Sequence, residues 1–176
     1  MPPFREGNIQ VDRKFNGEAL RFLRDVGHGH RINIVDASYD IPEGSRIIDF
    51  PGSSAEAYEE IIRLIPIEGE GDGKLPMLMG SDKKMKDLLE ENEGHPANRA
   101  FGAFYAAEVR LNKDGIGDAD WSGSDVVRRL DDDDPSGNGF YTIANDPDQP
   151  HTFIRTVDDL PFACASLVVG HSQRTE

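Results

Sequence analysis

The sequence predicts a single α/β domain of three layers, with helices flanking a mostly parallel or mixed central sheet. Short apolar runs bounded by turn residues alternate with amphipathic stretches at helical spacing, which is typical of layered α/β proteins. The chain has 176 residues, the size of one ordinary domain. Because no internal repeat or clear boundary divides it, we expect residues 1–176 to fold as one unit.

The first helix and the first two strands are predicted between residues 17 and 50. Residues 17–26 place apolar side chains on one helical face, and Gly27 ends that helix. Residues 32–35 form a short apolar run that ends at Asp36, the pattern of a buried strand. A second strand is expected over residues 46–50.

The second helix has a clear start and stop. Ser53 and Glu56 match a capping box, and Pro66 follows the last apolar residue of the helical face. A short strand is expected at 77–79. Residues 83–138 are acidic and rich in loop-forming residues, and 98–107 within them are compatible with a helix.

Two further strands are predicted near the end of the chain. Residues 152–156 and 165–169 are short runs rich in apolar and β-branched side chains, and a turn-forming segment separates them. Cys164 lies in this apolar stretch, where a cysteine usually acts as a small inert hydrophobic residue.

The charge of the chain restricts its partners. The formal net charge is −14, which repels phosphate backbones and anionic lipid headgroups, so we expect neither nucleic acid nor membrane as a partner. Neutral ligands such as sugars are not penalised. The single cysteine forms no intramolecular disulfide, the first residues resemble no signal peptide, and no apolar run approaches about 20 residues. We therefore expect a cytoplasmic protein.

Two loop segments resemble binding motifs without meeting their requirements. Residues 69–73 alternate glycine with acidic residues, but their carboxylates would repel a phosphate. The run that begins at Asp118 matches the first half of a calcium loop, yet Arg129 stands where a bidentate glutamate is required. Neither segment predicts a binding site.

The residues with the most informative chemistry surround the first strand. His28 and His30 could contribute to a metal site with Asp36, because alternate residues of an extended segment share a face. Alternatively, His28 only forms a hydrogen bond in the turn and His30 is exposed to solvent. Asp36 ends a strand of an α/β sheet, where ligands commonly bind, although it is equally suited to capping the following turn. A carboxylate there can accept hydrogen bonds from sugar hydroxyls, and a histidine can exchange protons with them.

Three blocks of the sequence resemble the RbsD/FucU family of sugar mutarotases. The first contains the turn Val26-Gly27-His28-Gly29 and the strand end Ile34-Val35-Asp36-Ala37. The second is 46–67 with the ending Leu64-Ile65-Pro66-Ile67, continued by 77–82. The third contains Ile154-Arg155-Thr156 and Pro161-Phe162-Ala163-Cys164, similar to the family's Pro-Tyr-Ala-Asn signature. The blocks cover somewhat over half of the chain.

The resemblance implies roles for five residues. His28 would be the general acid/base, and Asp36 would contact the sugar. His30 stands where the family turn usually has an aspartate, and it is predicted to bind the sugar and to assist His28 in moving the proton, a task that an ordered water could also perform. Phe162 and Cys164 stand where the family's tyrosine and asparagine hold the sugar, so Phe162 lacks the phenol hydroxyl and Cys164 lacks the amide.

A further polar contact of the family comes from before the last strands. Asn138, Tyr141 and His151 are the candidates for that contact, and Tyr141 is included among the predicted substrate-binding residues. The family also assembles into rings with sites near subunit contacts, so the resemblance implies a homo-oligomer.

The resemblance implies an isomerase that needs no cofactor or metal. Its expected reaction is the interconversion of anomers or ring forms of a monosaccharide through acid/base ring opening, with a histidine moving the proton. One alternative is a monosaccharide-binding protein without catalytic activity. A second is a metal-dependent isomerase or lyase that uses His28, His30 and Asp36.

Overall fold

The computed structural model describes residues 15–67, 77–79, 96–116, 139–160 and 163–170. The helices in these ranges are α1 (Gly17–Asp25), α2 (Ser54–Leu64), α3 (Pro96–Lys113) and α4 (Gly139–Ala144). The strands are β1 (Arg31–Val35), β2 (Arg46–Asp49), β3 (Met77–Leu78), β4 (His151–Arg155) and β5 (Ala165–Val168). The bounds of α1, α2 and all five strands agree with the sequence predictions to within one or two residues.

Side-chain caps begin the first two helices. Asn16 Oδ1 accepts a hydrogen bond from the Ala19 N–H at 2.8 Å and so caps α1. At α2, Ser53 Oγ accepts from the Glu56 N–H at 3.1 Å, and Glu56 Oε1 accepts from the Ser53 N–H at 3.0 Å. This reciprocal pair confirms the predicted capping box.

The strands form one mixed sheet in the order β2-β4-β1-β5-β3. β2, β4 and β1 run parallel, whereas β5 is antiparallel to β1, and β3 is antiparallel to β5. The prediction of a mostly parallel or mixed sheet is thus confirmed as a mixed one. We call the side of the sheet where β1, β2 and β4 end its carboxyl end, and the opposite side its amino end.

Helices cover both faces of the sheet. Ile32 and Ile34 of β1 pack into the main core, to which α1, α2 and α3 contribute. Val35 points to the other face and packs with Phe140 and Ala144 of α4. The predicted three-layer α/β architecture is therefore confirmed.

Helix α3 lies inside the interval 83–138, for which the sequence predicts a loop-rich insertion. Its buried face packs against α2 and the main core; the buried residues are Ala100, Phe104, Ala107 and Leu111. Tyr58 of α2 donates a hydrogen bond to Glu108 of α3, and both side chains are buried. Residues 96–113 are therefore part of the folded core, and 83–95 and 117–138 lie outside the described residues.

Candidate functional site

The residues singled out around β1 lie at opposite ends of the sheet. His28 and His30 precede β1 at the amino end, whereas Asp36 follows β1 at the carboxyl end. Asp36 comes six positions after His30, which corresponds to about 20 Å at a rise of about 3.3 Å per residue. The structure therefore does not bring these histidines and Asp36 together within one chain.

A glycine turn presents His28 at the amino end. Gly29 has φ of 89°, a conformation that residues with side chains rarely adopt. Its N–H donates to the Val169 carbonyl at 2.8 Å, which ties the turn to the residue after β5. His28 is exposed on this turn and is accessible to a ligand.

His30, in contrast, is part of the local structure. Its Nε2 lies 2.9 Å from Thr152 Oγ1 on β4, and its ring meets Phe22 edge-on at 5.9 Å. Burial lowers the pKa of His30, and the neighbouring His151 and Arg46 lower it further. The interpretation that His30 is solvent-exposed is wrong, because the residue is half-buried and contacts Thr152 of β4 and Phe22 of α1.

Asp36 is a buried carboxylate with a fixed orientation. Only 5% of the residue is exposed. Its Oδ1 accepts hydrogen bonds from the Ser38 N–H at 2.9 Å and the Ser38 hydroxyl at 2.7 Å. The structure confirms that Asp36 caps its turn and that it lies at the carboxyl end of the sheet. Its contact with a ligand stays a prediction.

Cys164 holds the other oxygen of Asp36. Its thiol donates to Asp36 Oδ2 across 3.5 Å, and the residue is fully buried. Burial raises the pKa of Cys164, and the adjacent Asp36 charge raises it further, so the thiol keeps its proton. Cys164 is thus a hydrogen-bond donor to Asp36 rather than an inert hydrophobic residue. Phe162, the other signature position, lies outside the described residues.

Two stacked tyrosines stand beside Asp36. Tyr39 and Tyr141 have ring centroids 5.2 Å apart and planes inclined by 18°. Tyr141 is 38% exposed, whereas Tyr39 is half-buried and donates from its hydroxyl to Asn145 Oδ1 at 2.7 Å. Burial raises the pKa of both phenols, and the nearby Cys164 raises both further. A cluster of perturbed acidic groups of this kind is a common mark of a functional site.

Tyr39 and Asn145 are not among the residues that the sequence singles out. Tyr39 comes three residues after Asp36, which is a usable signal for a ligand-facing loop. Asn145 offers none, because its contact with Tyr39 spans 106 residues and depends on α4, which is too short to show a periodic pattern.

A chain of buried hydrogen bonds holds α4 on the sheet. We call it the polar ladder, and it joins Arg31, Ser166, Asn33 and the Ala144 carbonyl. Arg31 Nη1 donates to Ser166 Oγ at 2.8 Å, and that hydroxyl donates to Asn33 Oδ1 at 2.7 Å. Asn33 Nδ2 donates in turn to the Ala144 carbonyl at 2.8 Å, at the end of α4. Because α4 carries Tyr141 and is followed by Asn145, the ladder fixes where these two side chains lie.

The carboxyl end also carries an open depression, next to β2 and β4. Its volume is 610 Å³, and its lining is mainly apolar, with Ala37, Phe50, Pro51 and Val157 among the lining residues. The exposed ion pair of Asp49 with Arg155, 2.7 Å long, borders it. Ala37 directly follows Asp36, so the depression and the tyrosine pair are two neighbouring places for a ligand at this end.

Metal-binding groups and membrane-spanning helices were sought among the described residues. Over the described residues, no group of three or more His, Cys, Asp or Glu side chains is arranged to hold a metal ion. The set of His28, His30 and Asp36 is not assembled in one chain, as their positions require. Among the helices in the described ranges, none has the length and apolar character needed to cross a membrane.

Comparison with known proteins gave matches at the level of structure only. No protein-family model and no curated protein matches the sequence. The fold is similar to FucU from Bifidobacterium longum, at 14% identity and a TM-score of 0.58, covering 89% of this chain and 96% of that one. It is also similar to a fucose mutarotase from Streptococcus pneumoniae solved with L-fucose, at 17% identity and a TM-score of 0.59, covering 92% and 97%.

A third solved structure agrees. RbsD from Bacillus subtilis, solved with D-ribose, matches at 17% identity and a TM-score of 0.53, covering 89% of this chain and 94% of that one. At 14–17% identity the likeness establishes the architecture. The chain has the RbsD/FucU fold.

Proposed function

We propose that this protein interconverts the cyclic forms of a neutral monosaccharide, and that each site combines His28 of one copy with Asp36 of another. The observation that carries the proposal is Asp36, a buried carboxylate fixed by three donors beside a half-exposed tyrosine at the carboxyl end of the sheet. Solved proteins of the same fold bind L-fucose and D-ribose, which supports a sugar as the ligand.

The separation of the two residues is the reason for invoking two copies. The strand places about 20 Å between His30 and Asp36, and His28 precedes His30 on the turn at the amino end. A monosaccharide is far shorter than this distance. The amino end of one copy must therefore face the carboxyl end of the next if both residues are to act on one sugar. Repeated head-to-tail contacts of this kind close into rings where the rotation between successive copies allows closure. The proposed arrangement requires a homo-oligomer, which is also what the resemblance to the RbsD/FucU family implies.

Individual side chains of opposite charge lie at the two ends. Arg46 is exposed at the amino end, near His30 and His151. The carboxyl end carries the carboxylates of Asp36 and Asp40. Opposite charges on two facing surfaces orient the partners and speed their association, even where they add little affinity.

The reaction requires two proton movements and no redox change. The His28 imidazole takes the proton of the anomeric hydroxyl while the bond from the anomeric carbon to the ring oxygen breaks. The ring oxygen receives a proton from an imidazolium or a water molecule, and the sugar becomes the open-chain aldehyde. Reclosure on the other face, or through another hydroxyl, reverses both transfers. General acid–base catalysis of this kind contributes about 10²–10⁴-fold.

Asp36 has the complementary task of orientation. Its oxygens have about four acceptor positions, and Ser38 and Cys164 use three of them. The remaining lone pair can accept one sugar hydroxyl. Because the carboxylate is already fixed, that contact costs little ordering on binding.

A monosaccharide-binding protein without catalysis is the alternative that one observation favours. Cys164, at the position of the family's asparagine, is fully buried and directed at Asp36, so it offers the sugar no amide. Loss of that contact is compatible with binding that no longer leads to turnover. The cytoplasmic location remains a prediction from the sequence.

Exchange NMR on a panel of aldoses that includes L-fucose and D-ribose tests the proposal. We expect the wild-type protein to accelerate exchange between anomers or ring forms, His28→Ala to lose the acceleration, and the exposed variant Asn112→Ala to keep it. Binding without acceleration would instead support the non-catalytic alternative. Loss of activity on adding EDTA would favour a metal-dependent reaction and contradict the proposal.

A further inference from the structure

The sequence 161–164, before β5, offers a sugar fewer hydrogen-bonding groups than the RbsD/FucU signature would. Cys164 stands at the position of the family's asparagine, and its thiol donates a hydrogen bond to Asp36. Position 162 is phenylalanine, which has no hydroxyl. A site that relied on this segment would lack both an amide and a phenol. The structure places one of each nearby, on other elements.

Tyr39, on the loop after β1, and Asn145, which follows α4, form a hydrogen-bonded pair. The Tyr39 hydroxyl donates to Asn145 Oδ1 at 2.7 Å. The Tyr39 ring is wedged between Tyr141, at 5.2 Å, and Phe153, at 5.7 Å, so its orientation is fixed. The stacking on Tyr141 places the pair in the same cluster as Asp36, whose charge reaches both phenols.

The pair leaves hydrogen-bonding capacity for a ligand. Having given its proton to Asn145, the phenol oxygen of Tyr39 still accepts hydrogen bonds, and the Asn145 amide group retains its two N–H donors. An acceptor and a donor side by side match a sugar hydroxyl, which both donates and accepts. Both residues are partly exposed in the single chain.

The backbone that carries Asn145 is held independently of the pair. Asn33 donates to the Ala144 carbonyl at 2.8 Å, and the Asn145 N–H donates to the Tyr141 carbonyl at 2.9 Å. The amide of Asn145 is therefore presented by a fixed helix end. Prior ordering of contacting groups lowers the entropic cost of binding.

We infer that Tyr39 and Asn145 supply the phenol and amide contacts to the sugar that positions 162 and 164 no longer provide. The inference rests on the proposed function. It moves part of the sugar-binding surface from the segment before β5 to the loop after β1 and the end of α4. The ring of Tyr141, stacked on Tyr39, then forms an aromatic wall of the same site.

Three substitutions separate a sugar contact from a merely structural role. Tyr39→Phe keeps the ring and removes the hydroxyl. Asn145→Asp keeps an oxygen to accept from Tyr39 but removes both amide donors, and Asn145→Ala removes the whole group. The matched controls are Tyr105→Phe, on α3, and Asn112→Ala, which is exposed on the same helix.

We expect each of the three variants to raise the Kd for L-fucose or D-ribose, whichever the wild type binds, by about tenfold. In exchange NMR, KM should rise while kcat stays within about twofold, because the pair binds ground state and transition state alike. The thermal midpoint of Asn145→Asp should stay at the wild-type value, and both controls should leave Kd unchanged.

The outcomes distinguish this inference from the proposed function. If the wild type binds neither these sugars nor other aldoses, the proposed function fails first. If the wild type binds one of them and all three variants bind it equally well, the pair is structural and the inference is overturned. A lowered thermal midpoint with unchanged Kd would overturn it as well, because the pair would then stabilise the fold without touching the sugar.

Discussion

The two ends of β1 differ in burial, in charge and in what they can do for a sugar. At the amino end, His28 is exposed on a glycine turn, and the basic side chains of Arg46 and His151 lie near His30. At the carboxyl end, Asp36 is buried, with a thiol and two phenols around it. In the proposed function, the exposed end exchanges protons with the sugar and the buried end orients it. A single chain separates these two proposed roles by the length of a strand.

Substitutions at the two ends should differ most in how far they lower the free energy of unfolding. Asp36→Ala removes the acceptor of three hydrogen bonds in a buried place, so we expect it to lower the free energy of unfolding by about 3 kcal/mol. His28→Ala, at an exposed position, should lower it by less than about 1 kcal/mol. Urea unfolding measures both. Equal losses would mean that the amino-end turn is as much a structural element as the Asp36 turn.

The next effect concerns the polar ladder that connects the middle of β1 to α4. Asn33→Ala leaves the Ser166 hydroxyl and the Ala144 carbonyl without this partner in a buried place, so we expect a loss of about 2 kcal/mol. KM for the sugar should also rise, because Tyr141 and Asn145 lose their support. The control Asn112→Ala should change neither quantity. An unaltered KM in Asn33→Ala would show that α4 keeps its place without the ladder.

A smaller, pH-dependent effect should be confined to the amino end. The folded-state pKa of His30 is lowered, so the unfolded chain binds more protons there below the ordinary histidine value of about 6.5. Stability from this group is present above that value and is lost as the pH falls below it towards the folded-state pKa. The free energy of unfolding from pH 7.5 to 5.0 should therefore fall less in His30→Gln than in the wild type.

Arg46→Gln provides the companion experiment. Burial is the main cause of the lowered pKa of His30, and the charge of Arg46 is a minor one. Removing that charge should flatten the pH dependence slightly, without abolishing it. A pH dependence that is identical in the wild type and His30→Gln would place the titrating group elsewhere.

The smallest effect on stability and on sugar binding is expected at the ends of β2 and β4, where Asp49 pairs with Arg155. Asp49→Asn breaks the exposed ion pair with Arg155, and such pairs contribute less than about 1 kcal/mol. If the sugar binds beside Asp36 and Tyr141, its Kd should not change in this variant. A several-fold rise in Kd would move the ligand into the depression bounded by Phe50 and Val157.

Local patterns make most of the fold predictable. The apolar run of β1 and the reciprocal cap of Ser53 and Glu56 are encoded by neighbours in the sequence, so both can be recognised without the structure. The layered α/β architecture also follows from the alternation of strands and helices. Helix α3 is only partly predictable, because its apolar residues lie within a long acidic stretch whose composition is typical of loops.

The candidate site is less predictable, because its contacts join distant parts of the chain. Asp36 can be identified from its place at the end of a strand, but its bond to Cys164 spans 128 residues. The Tyr39–Asn145 pair spans 106. His28 and Asp36 are close together by number, although an extended strand carries them far apart.

Mixing two inactive variants tests the two-copy site most directly. His28→Ala retains Asp36, and Asp36→Asn retains His28, so neither should accelerate sugar exchange alone. After equal mixing with subunit exchange, about a quarter of the head-to-tail contacts should join an intact His28 to an intact Asp36. We predict recovery of about a quarter of the wild-type acceleration. A mixture that stays as inactive as its components would contradict a site shared between copies.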